Sequence, residues 1–174
     1  SNPIGIKVGP KFEPEELIQL IAALNPENEP GRITLIHRFG ADNVNACLPP
    51  IIDAVQTANQ KVLFCSDPMH GNTFSTNSGI KTRSFDKIAS ELEAAFQIHR
   101  QQGSILGGVH LELTGDNVTE CIGGSGKLTE PDLERAYKSQ VDPRLNYDQA
   151  MELAFLVADN MKSNNGRVQN LNSN

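Results

Sequence analysis

The chain has 174 residues, 38% of them hydrophobic and 21% charged, a composition typical of a soluble globular protein rather than a fibrous or disordered one. Its 15 Lys and Arg residues and 21 Asp and Glu residues give a net charge of −6, which argues against binding to nucleic acid or to an anionic membrane. No apolar run approaches the roughly 18 residues of a membrane span and no secretory leader is recognisable. Three cysteines without a CxxC pair predict neither a disulfide framework nor a zinc finger, so we expect a cytoplasmic protein.

Short apolar segments alternate with helical patterns along the chain. The sequence predicts strands at residues 3–8, 33–37, 62–65 and 105–113, and helices at about 13–24, 43–58, 84–101, from 131 and at 147–161. A strand followed by a helix, repeated four times, is the pattern of a parallel α/β protein. The Asn- and Ser-rich residues 163–174 predict a disordered polar tail, which leaves residues 1–162 as the folded part.

Charged residues recur at the ends of the predicted strands. Lys7, Arg38, His70 and Glu112 each lie at or just after the C-terminal part of a strand, spaced by about one βα step of roughly 30 residues or more. In (β/α)₈ barrels the active site lies at this end of the strands, and four units make half of such a barrel of about 250 residues. An open doubly wound sheet is the alternative, although no G-x-G-x-x-G follows the first strand.

Three acceptor side chains predict a metal site. His70, Glu112 and Asp142 offer one imidazole and two carboxylates, a set suited to divalent Mn, Co, Fe or Zn. Strand alternation puts His110 on the same face as Glu112, one layer deeper, as a candidate supporting group. The alternative is structural: His70 caps a turn, Glu112 pairs with a cation and Asp142 begins the turn before Pro143.

Two cations predict an anion site. Lys7 and Arg38, at successive strand ends, would project into one opening and bind a small phosphate or carboxylate, with Arg38 supplying a bidentate fork. Alternatively each pairs with a carboxylate nearby, and the two interpretations are compatible. Lys81, Arg83 and Arg144 could be solvated surface charges, Lys81 most of all.

Several long motifs resemble one enzyme family. The chain is similar to type II 3-deoxy-D-arabino-heptulosonate 7-phosphate (DAHP) synthases from its first residues to the helix before the polar tail. The motifs that carry the resemblance, in the order of the family, are NPIGIKVGP (2–10), DPMHGNT (67–73), GGVHLELTGDNVTEC (107–121), DPRLN (142–146) and LAFLVA (153–158).

The resemblance implies a fold and an activity. The fold is a (β/α)₈ TIM barrel, of which this chain would supply about the last four βα units. The activity is the condensation of phosphoenolpyruvate with erythrose 4-phosphate to DAHP and phosphate, the first step of the shikimate pathway to aromatic amino acids. Members of the family form homo-oligomers and use a divalent metal ion, Mn²⁺ first, with Co²⁺, Zn²⁺ and Fe²⁺ as alternatives.

The resemblance also assigns roles to individual residues. It matches His70, Glu112 and Asp142 to three of four metal ligands and Lys7 and Arg38 to cations that bind phosphoenolpyruvate. His110 becomes a candidate for proton transfer. The fourth metal ligand of the family is a cysteine whose motif is absent here, as are residues that bind erythrose 4-phosphate.

We therefore expect this chain to be an incomplete portion of the enzyme, with little activity unless the N-terminal half of the barrel is supplied. Two alternatives remain open at this stage. One is a non-catalytic half-barrel module that binds metal or phosphate and associates with itself, and the other is a different metal-dependent barrel aldolase.

Overall fold

The computed structural model of the protein describes the backbone of residues 2–171 and the side chains of residues 2–162. Its strands and helices, in chain order, are β1 (Ile4–Val8), α1 (Pro14–Leu24), β2 (Ile33–His37), α2 (Val44–Thr57), β3 (Val62–Ser66), β4 (Thr73–Ser75), β5 (Lys81–Arg83), α3 (Phe85–Gln101), β6 (Leu106–Val109) and α4 (Tyr147–Leu171). Short 3₁₀ helices cover His70–Asn72 and Glu130–Arg135.

The chain divides into two compact units. Unit 1 contains Ser1–Gly71 and Ala94–Leu111, and unit 2 contains Asn72–Glu93 and Glu112–Asn174.

A parallel sheet forms the centre of unit 1. Its strand order is β1-β2-β3-β6, and every neighbouring pair is parallel. The strands of this sheet therefore follow one another in chain order. The short strands β4 and β5, which come between β3 and β6 in the chain, form a separate pair in unit 2. The predicted parallel α/β class is confirmed, and the last strand is shorter than the predicted 105–113.

Strand alternation and helix amphipathicity account for the core of unit 1. In β2, Ile33, Leu35 and His37 are buried, while the residues between them are partly exposed. Helices α1 and α2 contribute buried residues at helical spacing, including Leu17, Ile21, Leu48, Ile52 and Val55. Pro14 begins α1, close to the predicted start at about residue 13, and a proline in the first turn forfeits no helical hydrogen bond.

Two buried histidines face each other in this core. The rings of His37 and His99 lie 5.8 Å apart, and each side chain is about 1% exposed. Burial lowers the pKa of His37 to about 3, assisted by His99 and opposed by Asp67. Burial also lowers the pKa of His99 to about 4. Both rings are therefore neutral in the folded protein at neutral pH.

We expect the free energy of unfolding to fall as the pH drops below about 6.5. In that range the unfolded chain binds protons at both histidines, whereas the folded chain does not bind them until pH 4 or below. Between pH 6.5 and 5 the loss is about 2 kcal/mol for each ring, at 1.36 kcal/mol per pH unit. Urea unfolding at both pH values measures it. His37→Phe should flatten this dependence, whereas His110→Gln, at an exposed ring, should retain it.

Unit 2 combines an antiparallel β4–β5 pair with irregular segments and α4. The helix predicted from Pro131 is a short 3₁₀ helix, begun by a capping box between Thr129 and Asp132. Helix α4 extends beyond its predicted end near Met161 to Leu171. The predicted disordered tail (163–174) falls partly outside the described residues, and the boundary at residue 162 stays a prediction.

Among the residues that the structure describes, no helix combines the length and the apolar character that crossing a membrane requires.

Candidate active site

A buried carboxylate connects two of the predicted site residues in unit 1. The side chain of Asp67 is 0% exposed, and its Oδ2 atom accepts hydrogen bonds from Lys7 Nζ and from His70 Nδ1, the latter at 2.7 Å. Its Oδ1 atom accepts the backbone N–H groups of Met69 and His70 at 3.0 and 3.1 Å. Asp67 thus fixes the position of both Lys7 and His70.

These contacts keep Asp67 charged. Burial alone would raise the pKa of its carboxyl, but the hydrogen bonds from Lys7 and His70 outweigh burial and hold the pKa below its usual range. A carboxylate at His70 Nδ1 makes that nitrogen the donor, so the lone pair needed by a metal ligand is on Nε2. Sequence patterns assign Asp67 no role beyond its place in the DPMHGNT motif.

Lys7 and Arg38 line one surface hollow of unit 1. The hollow has a volume of about 420 Å³ and is also lined by Gly9, Pro10, Lys11 and Phe12. This volume lies in the range of about 300–1,000 Å³ that is usual for small-molecule sites. The structure therefore brings the two predicted cations to one opening. The alternative interpretation also holds for Lys7, which pairs with Asp67.

Glu112 and Asp142 lie close together in unit 2. A carboxylate oxygen of one lies within 4.8 Å of a carboxylate oxygen of the other. A parallel bridge between Leu113 and Leu145 produces this proximity, and the backbone N–H of Leu145 donates to the carbonyl of Glu112 at 3.0 Å.

Arg83 and Lys81 pair with these two carboxylates. The side chain of Arg83 is 0% exposed, and its Nη1 atom donates to Glu112 Oε2 at 2.5 Å and to the carbonyl of Pro143 at 2.6 Å. Its Nη2 atom lies 3.9 Å from Asp142 Oδ2, and Lys81 Nζ contacts Asp142 Oδ1. The interpretation of Arg83 as a surface charge is wrong. Lys81 is about half exposed, yet it also has a carboxylate partner.

His110 lies in unit 1, with an exposed side chain whose ring centroid is 6.2 Å from that of His70. Its backbone N–H donates to the carbonyl of Ser66 at 2.8 Å, which continues the hydrogen bonding between β3 and β6. Among the residues that the structure describes, no contact of this ring assigns it a chemical role, and proton transfer by His110 stays a prediction.

Comparison with known proteins identifies the family. The model of the class-II DAHP synthetase family matches residues 1–158, which is most of the chain. The chain belongs to this family. The resemblance carried by the five motifs is therefore confirmed.

Two curated relatives are similar to nearly the whole of this chain. The phospho-2-dehydro-3-deoxyheptonate aldolase AroG of Mycolicibacterium smegmatis is 47% identical over 162 residues, which are 93% of this chain and 35% of that protein. The phospho-2-dehydro-3-deoxyheptonate aldolase of Neurospora crassa is 52% identical over 164 residues, 93% of this chain and 34% of that protein. The chain thus spans about a third of the length of these curated relatives.

Proposed function

We propose that this chain is the part of a DAHP synthase that supplies most of the metal ligands and two cations for phosphoenolpyruvate. The complete protein would condense phosphoenolpyruvate with erythrose 4-phosphate to DAHP and phosphate, at the first step of the shikimate pathway. Two relatives with an aldolase name, 47% and 52% identical over 93% of the chain, support this. The observation that carries the proposal is the buried Asp67, which holds a substrate cation and a metal ligand together.

The same proposal gives the chain its place in a larger fold. The parallel order β1-β2-β3-β6 supports an assignment to the last four strands of a (β/α)₈ barrel. The partner of this portion would be the N-terminal half of the barrel, in a cytoplasmic homo-oligomer. Coverage of only 34–35% of the relatives supports the view that further chain completes the site.

The metal ligands of this proposal are His70, Glu112 and Asp142. The residues fit a divalent first-row ion, since one imidazole and two carboxylates are its usual donors and Asp67 orients the imidazole through Nδ1. Mn²⁺ is the first choice, with Co²⁺, Zn²⁺ and Fe²⁺ as alternatives. When bound, the ion supplies Lewis acidity that polarises the aldehyde oxygen of erythrose 4-phosphate.

In this proposal, side chains of this chain bind and orient phosphoenolpyruvate and transfer a proton. Lys7 and Arg38 bind the anionic groups of phosphoenolpyruvate in their common hollow and orient its enol carbon toward the aldehyde. Arg38 offers a planar fork to a phosphate or carboxylate, and Lys7 offers a compact charge whose direction Asp67 fixes. His110 would transfer a proton in this reaction.

A chimaeric enzyme tests this function. The segment of the M. smegmatis relative that aligns with this chain is replaced by residues 1–162, and phosphate release is measured with both substrates. We expect activity that requires phosphoenolpyruvate, erythrose 4-phosphate and Mn²⁺ together. Lys7→Met should lower kcat/KM by about 100-fold or more, because it removes the positive charge that stabilises negative charge in the transition state.

Lys61→Met is the matched control, since Lys61 is an exposed lysine outside the hollow, and we expect its kcat/KM to stay within about twofold. Full activity of the Lys7→Met chimaera would contradict the proposal. Condensation with pyruvate but not with phosphoenolpyruvate would instead favour another barrel aldolase. Should the chimaera not fold, the binding of phosphoenolpyruvate to the 174-residue chain gives the same comparison of the two variants.

A further inference from the structure

Glu120 is a buried carboxylate that hydrogen-bonds both flanks of the segment containing Asp142. Its side chain is 0% exposed. On one flank, Oε1 accepts the backbone N–H groups of Lys138 and Ser139 at 3.0 and 2.8 Å. On the other flank, Oε2 accepts the backbone N–H of Arg144 at 2.8 Å. One side chain therefore closes the loop from residue 138 to residue 144.

The side chain of Arg144 completes the contacts of Glu120. Its Nε atom donates to Oε2 at 3.0 Å and its Nη2 atom donates to Oε1 at 2.7 Å, which is the bidentate geometry of a strong Arg–carboxylate pair. Burial would raise the pKa of Glu120, but the hydrogen bonds from Arg144 and from the three backbone N–H groups outweigh it and lower the pKa. Both residues are charged at neutral pH.

These contacts occupy both oxygens of Glu120, so the group is saturated and has no lone pair directed at a further ligand. Within the closed loop, Ser139 Oγ donates to the carbonyl of Asp142 at 2.6 Å. The carbonyl of the next residue, Pro143, accepts Arg83 Nη1 at 2.6 Å. The backbone of Asp142 is thus held on both sides, and the direction of its carboxylate depends on that backbone.

We propose that Glu120, together with Arg144, is a positioning residue that holds the Asp142 carboxylate in the orientation required by a divalent cation. This inference rests on the proposed function, because it gives Asp142 the role of ligand. Removing a residue that hydrogen-bonds and orients a metal ligand usually lowers metal affinity by about 10–100-fold, because the displaced ligand loses its coordination geometry.

The test measures the affinity of the 174-residue chain for Mn²⁺. The electron paramagnetic resonance signal of free Mn²⁺ reports how much of the ion remains unbound. Glu120→Gln keeps the shape but directs an amide NH₂ at the N–H donors of the loop, so we expect roughly tenfold weaker binding. Asp132→Asn is the matched control. It removes a carboxylate that accepts the Thr129 N–H and an Arg135 hydrogen bond outside the loop, and its affinity should stay within about twofold.

The spectrum at saturating Mn²⁺ distinguishes positioning from simple stabilisation. If Glu120 orients a ligand, the saturated Glu120→Gln spectrum is broader than that of the wild type. If Glu120 only stabilises the fold, the saturated spectrum is unchanged and the inference is overturned. Unchanged affinity in Glu120→Gln, with native circular dichroism, also overturns it.

Two further variants keep the result interpretable. Should Glu120→Gln fail to fold, Arg144→Met takes its place as the test, because it leaves the three backbone hydrogen bonds to Glu120 intact. We expect Arg144→Met to weaken Mn²⁺ binding about threefold. Unchanged Mn²⁺ binding in Arg144→Met overturns the inference. Asp142→Asn tests the proposed function separately. If it leaves Mn²⁺ affinity unaltered, the assignment of Asp142 as a ligand fails, whatever Glu120→Gln does.

Discussion

Replacing Arg83 with Met should destabilise the protein by about 3 kcal/mol. The side chain of Arg83 is fully buried and donates to Glu112, to the Pro143 carbonyl and to Thr73 Oγ1. Breaking a buried ion pair on one side costs about 3–5 kcal/mol, because the remaining charge loses its partner. The lower end applies here, since the Glu112 side chain is 28% exposed and regains some hydration. Urea unfolding followed by circular dichroism measures the change.

The matched control is Arg135→Met. Arg135 also pairs with a carboxylate, Asp132, but its side chain is 67% exposed, so the loss should be below about 1 kcal/mol. A double variant tests the explanation itself. Adding Glu112→Gln to Arg83→Met should recover part of the lost stability, because the unpaired carboxylate is then neutral. Equal stability of wild type and Arg83→Met would show that this network contributes nothing to folding.

The sequence predicts the parts of this protein that depend on short-range patterns. Apolar β-branched runs located the four strands of the parallel sheet, and a polar residue at the end of each run marked a candidate site position. Lys7 and Arg38 were assigned to one opening in this way, and the structure places both at one hollow. The strand predictions succeed because the alternation of side chains along a strand is a property of neighbouring residues.

The contacts that organise the site could not be predicted in the same way. Arg83 bonds Glu112, 29 positions away, and Lys7 bonds Asp67, 60 positions away. Whether a charged side chain is buried depends on such distant partners, which no local pattern specifies. Glu120 was missed for the same reason, although it lies within the family motif at residues 107–121. The β4–β5 pair was missed because its residues are mostly polar and each strand has only three residues.

Gly71→Ala should destabilise unit 1 by about 1–3 kcal/mol, the usual cost of forcing a methyl group into a packed space. A Cβ atom at position 71 would lie 2.8 Å from Gly40 Cα and 3.0 Å from the Phe39 carbonyl carbon, and closer still to Gly40 N. All three are backbone atoms, so no side chain can rotate away. The segments that follow β2 and β3 would have to separate, and His70, the preceding residue, would shift with them.

Gly115→Ala is the control for the effect of glycine on the unfolded chain. A methyl group there would meet nothing within 4 Å among the described residues, so stability should change by no more than about 0.5 kcal/mol. Thermal unfolding gives the stability of both variants, and the ¹⁵N chemical shift of the His70 ring reports its displacement. An unshifted His70 signal in Gly71→Ala, with wild-type stability, would contradict this prediction. It would mean that the segments at Gly40 and Gly71 make room for the methyl group at no cost and without moving His70. In that case the close approach of Gly71 to Gly40 is not what holds His70 in place, and the hydrogen bonds from its Nδ1 and its backbone N–H to Asp67 contribute to holding it.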